Sequence, residues 1–484
     1  MQRKFLSGLA LMLVLNLLIK PLAIFGIDAK VQNEVGSEHY GIYFSLLSFT
    51  FLFNILLDFG INNYTTKHVA QYPKVAVSYL GKILVIRIAL FLLYAIVSYS
   101  LAFALGWGRF EFYLLSFLVL NQLFVALIAF ARSYFKGLLM FKTEAFLSVL
   151  DRLLLIIFCG ALLYLPVTEN KFQIEWFVWA QTACYGLSFI VAFGLLLRKT
   201  GVPALSFRPS FAIAIIRKSI PYALLILLMQ IYTRVDSVMI ERFHDNGGME
   251  AGFYAQGFRL FDALFQFAMI FTGLLFPIFS QQIILKKDFK PLLSSATKLL
   301  LGGTVALGII SYFNAEIILG WIYSNDVLPS VVPFQLLMIG FVGMATNLLF
   351  GTLLTANGSL KFLNTVSAAG ILLNIGINAV VIPKYGASGA ALATLITQGS
   401  VSAVQIIYCI AHFSLKITIR PVLQFTSFVI AVYMLCYFVK VDSVGLFLTI
   451  GGASFVAMFA TGLIDFKQLI AVFSSNTKEE ISER

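Results

Sequence analysis

The stretch Ile88-Ala-Leu-Phe-Leu-Leu-Tyr-Ala-Ile-Val-Ser-Tyr-Ser-Leu-Ala-Phe-Ala104 decides the fold. It runs 17 residues without a charge and without polar–apolar alternation. A helix needs roughly 20 apolar residues to cross a hydrocarbon core of about 30 Å. A barrel strand needs only about 10, and those must alternate. With its flanks the stretch predicts one membrane span near residues 79–106.

Thirteen further stretches read the same way: near 6–27, 40–62, 112–131, 146–165, 174–197, 219–240, 253–279, 296–320, 332–355, 364–383, 387–412, 422–439 and 443–464. The composition agrees. Of 484 residues, 60% are hydrophobic and 12% charged, and mean hydropathy is +0.93. Soluble domains run about 45–50% apolar and about 25% charged. A soluble enzyme, a nucleic-acid-binding domain and a disordered chain are therefore excluded as whole-chain readings. The expected fold is an all-α polytopic membrane protein of about 14 transmembrane helices.

The net charge of +12 follows the same layout. Basic residues collect on alternate connections, for example Arg132, Lys136 and Lys142, then Lys286, Lys287 and Lys290. Counted over the connections, 21 of the 34 Lys and Arg lie on one side and six on the other. The positive-inside rule then puts both termini in the cytoplasm. The four cysteines, Cys159, Cys184, Cys409 and Cys436, fall inside apolar runs and read as small hydrophobes. The apolar start reads as a first span rather than a cleaved leader.

Two openings repeat. Gly36-Ser-Glu-His-Tyr-Gly41-Ile-Tyr43 opens the second span and Gly248-Met-Glu-Ala-Gly252-Phe-Tyr254 the eighth. The offset of six spans predicts two pseudo-symmetric six-helix bundles, 1–200 and 216–412. Helices 13 and 14 (421–465) and a cytoplasmic tail (466–484) follow. Parallel repeats of this kind occur in secondary transporters.

Polar residues inside spans point to function, because a charge at membrane depth is expensive. Asn16 and Lys20 share one face of the first span. Gln230, Thr233, Arg234, Ser237 and Glu241 form one stripe on the seventh, with Asp236 on the other side. Gln256, Arg259, Asp262 and Gln266 form a stripe on the eighth. Ser367, Asn374 and Asn378 line the eleventh, and Thr394, Gln398 and Gln405 the twelfth. The functional reading is a hydrated cavity carrying the cations Lys20, Arg234 and Arg259. Lys20 can equally snorkel to the interface, Arg259 can pair with Asp262 along its helix, and the amides can simply bridge helices. Asp58, Arg87, Asp151 and Arg152 read as interface anchors or local pairs.

No Walker A, HExxH, paired CxxC or Gly-x-Ser-x-Gly pattern occurs. No metal, cofactor or nucleic-acid partner is expected, and the chain is expected to be a monomer.

Several motifs carry a family resemblance. They are the two Gly-x-Tyr openings, Leu57-Asp-Phe-Gly-Ile-Asn, Arg234-Val-Asp-Ser-Val-Met, and Pro383-Lys-Tyr-Gly-Ala-Ser-Gly-Ala-Ala-Leu-Ala-Thr-Leu-Ile. Together they resemble the polysaccharide transporter (Wzx-type) flippases of the multidrug/oligosaccharidyl-lipid/polysaccharide exporter superfamily. That resemblance implies flipping of undecaprenyl-pyrophosphate-linked oligosaccharide across the bacterial inner membrane by alternating access. It implies contacts with membrane lipids and with polysaccharide polymerase or glycosyltransferases. Lys20 and Arg259 occupy spans where related lipid II flippases place cavity cations, and Lys lacks the bidentate fork of Arg. Coupling to H+, Na+ or the membrane potential stays open, with Asp236 or Asp262 as ion carriers. The alternatives are a multidrug or cation antiporter of the same superfamily and a membrane polymerase or ligase.

Overall fold

A computed structural model of the chain describes residues 14–16, 18–62, 65–66, 69, 76–164, 172–206, 209–415, 418–439 and 442–463. The expected 466–484 tail and the first half of the first span, 6–13, lie outside the described residues. The described residues are nearly all helical and contain no strand. Nine of their helices are long and apolar enough to cross a membrane. The molecule is a multi-pass helical membrane protein.

The chain divides into two compact units, Met1–Gly252 and Phe253–Arg484. In the first unit a π-helical turn, Ile24–Asp28, leads into α1 (Ala29–Leu52) and a 3-10 turn, Asn54–Leu57. Then follow α2 (Ala76–Ala104), α3 (Arg109–Gly137), α4 (Phe141–Leu147), α5 (Leu150–Tyr164), α6 (Ile174–Thr200) and α7 (Pro209–Phe243). Helix α3 packs on α6 and on α1, α5 packs on α6, and α7 packs along α1. Helix α7, which the repeat assigned to the second half, packs along α1 within Met1–Gly252.

Helix α8 (Gly247–Ile284) starts in the first unit and continues into the second. The rest of the second unit is α9 (Lys290–Phe313), α10 (Ala315–Ile322), α11 (Val327–Ala356), α12 (Leu360–Phe413), α13 (Ile419–Phe438) and α14 (Val444–Ala460). Helix α11 packs on both α9 and α12, and α13 and α14 pack on α9. Phe428, Val432, Ile450 and Met458 form a buried cluster with Ala306 and Ile310 there.

Two expected loops are bends instead. Residues 28–39 stay helical on both sides of Gly36, whose φ is 80°. The 54 residues of α12 would span about 80 Å at 1.5 Å per residue, far more than one crossing. Gly386, at φ 49° and ψ −125°, breaks α12 into the two spans that the apolar runs suggested. Only glycine takes such angles without a Cβ penalty. In lipid, a bend that keeps backbone groups paired is cheaper than an open loop.

Outward faces are apolar, as a lipid solvent requires: Phe103, Leu372 and Ile407 are 80%, 75% and 65% exposed. All four tryptophans, Trp107, Trp176, Trp179 and Trp321, fall at ends opposite the basic connections. That is where an interfacial aromatic belt belongs.

Candidate functional site

Arg234 lies nine residues before the C-terminal end of α7, about 13 Å along the axis at helical rise. Its guanidinium stacks over the Phe51 ring of α1, 5.1 Å from the centroid. Cation–π contact holds a guanidinium flat against the ring. The residue is half-buried.

The neighbours on the α7 stripe are committed elsewhere. Thr233 Oγ1 donates to the Met229 carbonyl (2.8 Å) and Ser237 Oγ to the Arg234 carbonyl (3.2 Å). Glu241 accepts from Trp107 Nε1 (2.9 Å) and from Arg242 Nε and Nη2 (2.7 and 2.6 Å). Arg242 Nη1 donates to the Leu105 carbonyl (2.9 Å). The C-terminal end of α7 is thereby clamped to the α2–α3 connection. Gln230 is half-buried, and Asp236 is fully buried.

On the first span Lys20 is half-buried. Asn16 Nδ2 donates to Ser148 Oγ (2.9 Å), which makes it a helix bridge.

The second unit gathers amides. Gln256 Nε2 donates to the Asn325 carbonyl (3.0 Å) and so anchors the connection before α11. Arg259 and Asp262 are half-buried one turn apart on α8, and Gln266 is exposed. Asn374 and Asn378 are both 0% exposed, with Asn378 Nδ2 donating to Asn374 Oδ1 (3.1 Å). Gln398 Oε1 accepts from Asn347 Nδ2 (2.6 Å). Gly343 permits that pair. A Cβ there would lie 2.9 Å from the Gln398 backbone carbon, so a larger residue would push α11 and α12 apart.

Three ionic groupings escaped the helical-face reading. Arg87 is 2% exposed and donates to Asp58 Oδ1 (2.9 Å), Asn62 Oδ1 (2.6 Å) and the Leu57 carbonyl (3.0 Å). It braces the broken end of α1, where Phe59 and Gly60 have φ of 43° and 77°. Glu144, 3% exposed, holds Arg132 at 2.7 Å and Lys136 at 3.6 Å. Asp28, 4% exposed, sits in the π-helical turn. Arg152 meets Asp151 at 3.5 Å and the Tyr185 ring at 5.9 Å. The signal for Arg87 was the Leu57-Asp-Phe-Gly motif, whose acid needed a partner at membrane depth. Among the described residues, no three His, Cys, Asp or Glu are grouped to hold a metal ion.

Comparison with known proteins adds three findings. A family model described as "Polysaccharide biosynthesis protein" matches residues 5–283. An uncharacterized membrane protein of Methanocaldococcus jannaschii is 24% identical over 387 residues, 76% of this chain and 89% of that protein. Among solved structures, a lipid II flippase MurJ in an inward closed conformation has a TM-score of 0.73 at 17% identity. The match covers 95% of this chain and 100% of that one. An inward-facing multidrug resistance MATE family transporter of the MOP superfamily has a TM-score of 0.60 at 14% identity, covering 85% and 98%. Both structures share the fold.

Proposed function

The chain belongs to the polysaccharide biosynthesis protein family, and from that premise we propose that it flips a lipid-linked oligosaccharide across a bacterial inner membrane. The cargo has three parts with different solvents. The polyprenyl tail can remain in lipid, the pyrophosphate needs cations, and the sugars need water or hydrogen bonds. The observation that carries the reading is Arg234, a half-buried guanidinium over the Phe51 ring, on a stretch whose sequence reads as a membrane span. A charge kept there is a functional group by default, and arginine's fork suits phosphate oxygens.

In this reading Arg234 binds the pyrophosphate, with Lys20 as a further cation and Gln230 as an amide donor of the same unit. An inside-negative potential favours outward movement of an anion by about 2.3 kcal/mol per charge per 100 mV. Proton or sodium exchange through Asp236 or Asp262 is the other source of drive. Liposomes with imposed gradients separate the two.

A multidrug or cation exporter shares the fold. A cationic cargo calls for an acidic site, and the cations Lys20, Arg234 and Arg259 oppose it.

Arg234→Ala is expected to abolish export in cells whose polysaccharide output depends on this chain. Lipid-linked intermediates should accumulate, and the protein should still reach the membrane in normal amount. Near-normal output from that variant would refute the role.

A further inference from the structure

Ser37, Gly41, Ser45, Ser48 and Phe51 recur at offsets 0, 4, 8, 11 and 14 on α1, which places them on one helix face. The outer part of that face is closed by backbone. A methyl group on Gly41 would overlap the Gly248 carbonyl, and one on Gly252 would overlap the Ser37 carbonyl. Gln32 Nε2 donates to the Gly252 carbonyl (2.9 Å) across the same contact. The two openings that repeat in the sequence therefore meet each other. The inner part of the face ends at Phe51, under Arg234.

Between these ends the face holds two stranded hydroxyls. Ser45 and Ser48 are 0% and 1% exposed, and their Oγ atoms have no hydrogen-bond partner. Helix hydroxyls ordinarily bond back to the preceding turn, as Thr50 does to the Leu47 carbonyl (2.7 Å) on this same helix. A buried hydroxyl without a partner is unfavourable. A helix contact made largely of glycine backbone, with only Gln32, Glu38 and Ile42 reaching across it, has few side chains to repack when it parts.

We propose that this face of α1 is a seam that opens during transport, and that Ser45 and Ser48 then hydrogen-bond the hydroxyl-rich headgroup as it passes Arg234. The proposal deepens the flippase reading and rests on it for the identity of the headgroup. The state described here is the closed one. Opening supplies the two hydroxyls with water or sugar partners, which offsets the loss of the glycine contact.

The test uses the full chain in membranes. Its four native cysteines are buried, so single Ser45→Cys and Ser48→Cys variants report alone to a membrane-impermeant maleimide. A second pair, Glu38→Cys with Gly248→Cys, staples the seam. A Cβ on Gly248 lies 3.4 Å from Glu38 Cγ, close enough for a disulfide. The expected result is labelling at both serine positions, lost when the staple is oxidised and regained on reduction, with export following the same course. The double variant Ser45→Ala/Ser48→Ala should melt higher than wild type, because it removes two stranded groups. Its export should fall by roughly two- to tenfold per hydroxyl.

Serine positions that stay unlabelled while export runs at the wild-type rate would overturn the seam. A stapled protein that still exports would do so too. An alanine pair that melts lower and exports normally would overturn the headgroup contact. Labelling is read without any cargo. A seam that opens in a protein with no effect on lipid-linked intermediates would therefore fault the flippase reading and leave the seam standing.

Discussion

Replacing Arg87 by Met tests whether the broken end of α1 is held by charge. The guanidinium is 2% exposed and Asp58 is 28% exposed. Removing one partner of a buried ion pair costs about 3–5 kcal/mol, because the other charge is left behind. The partial exposure of Asp58 lets water take over some of the pairing, which lowers the figure to about 2–4 kcal/mol. The Leu57 carbonyl and the Asn62 amide lose their donor in the same step. For a unit of this size each kcal/mol moves the melting temperature by about 2–4 °C, so the expected drop is about 5–15 °C. Arg87→Lys should fall between the two, since an ammonium cannot span three acceptors in the guanidinium's plane. Adding Asp58→Asn to Arg87→Met should recover part of the loss, with a coupling of about 1 kcal/mol or more. Thermal melting of the purified full chain in detergent reads five proteins: wild type, the singles Arg87→Met, Arg87→Lys and Asp58→Asn, and the double. Additive single effects, or a melting temperature within a degree of wild type for Arg87→Met, would refute the brace.

Further outcomes follow from other contacts. Asn347→Leu should destabilise by about 1–3 kcal/mol by stranding the Gln398 oxygen, and adding Gln398→Leu should recover most of it; a melting series reads both. Gly386→Ala should cost about 1–2 kcal/mol, because alanine resists a positive φ, and it should lower the melting temperature without changing the amount inserted. Amide hydrogen exchange by mass spectrometry should run faster along α11 and α12 than along α1 and α3, and equal protection would contradict the reasoning given below for the two interiors.

The spans were legible because lipid forces long apolar runs, and the break in α12 was legible as two runs meeting at Gly386. The bend at Gly36 was not. Lys30, Glu34, Glu38 and His39 look like a polar loop, yet Lys30 pairs with Glu34 at 2.6 Å as an i,i+4 helix pair. For the site, helical phase names the face a residue occupies and leaves its partner open. Asn16 shared a face with Lys20, and only the folded chain brings it to Ser148, 132 residues away. Asn347 carried no stripe signal at all, because its partner Gln398 lies on another helix. Glu241 looked like the top of a polar stripe and is the core of a clamp, since Trp107 and Arg242 converge on it from two directions.

The two units solve the problem of polar burial in different ways, and the difference bears on which can change shape. Among the described residues the fully buried charges are Asp28, Arg87, Glu144 and Asp236, all in the first unit. The fully buried polar residues of the second are neutral: Asn347, Asn374, Asn378, Gln398 and Gln405 among hydroxyls. A buried ion separated from its partner is left with a charge that lipid will not solvate, so an ionic interior must move as a block. An amide carries both donors and acceptors, so one that loses a partner can take the next along the helix face. Asn374, Asn378 and Gln398 are spaced for such exchange on the two arms of α12, which meet at the one bend that glycine provides. On the flippase reading, the ion-paired helices of the first unit are then expected to move as blocks that part at the glycine contact of α1, while the amides of the second exchange partners along α12.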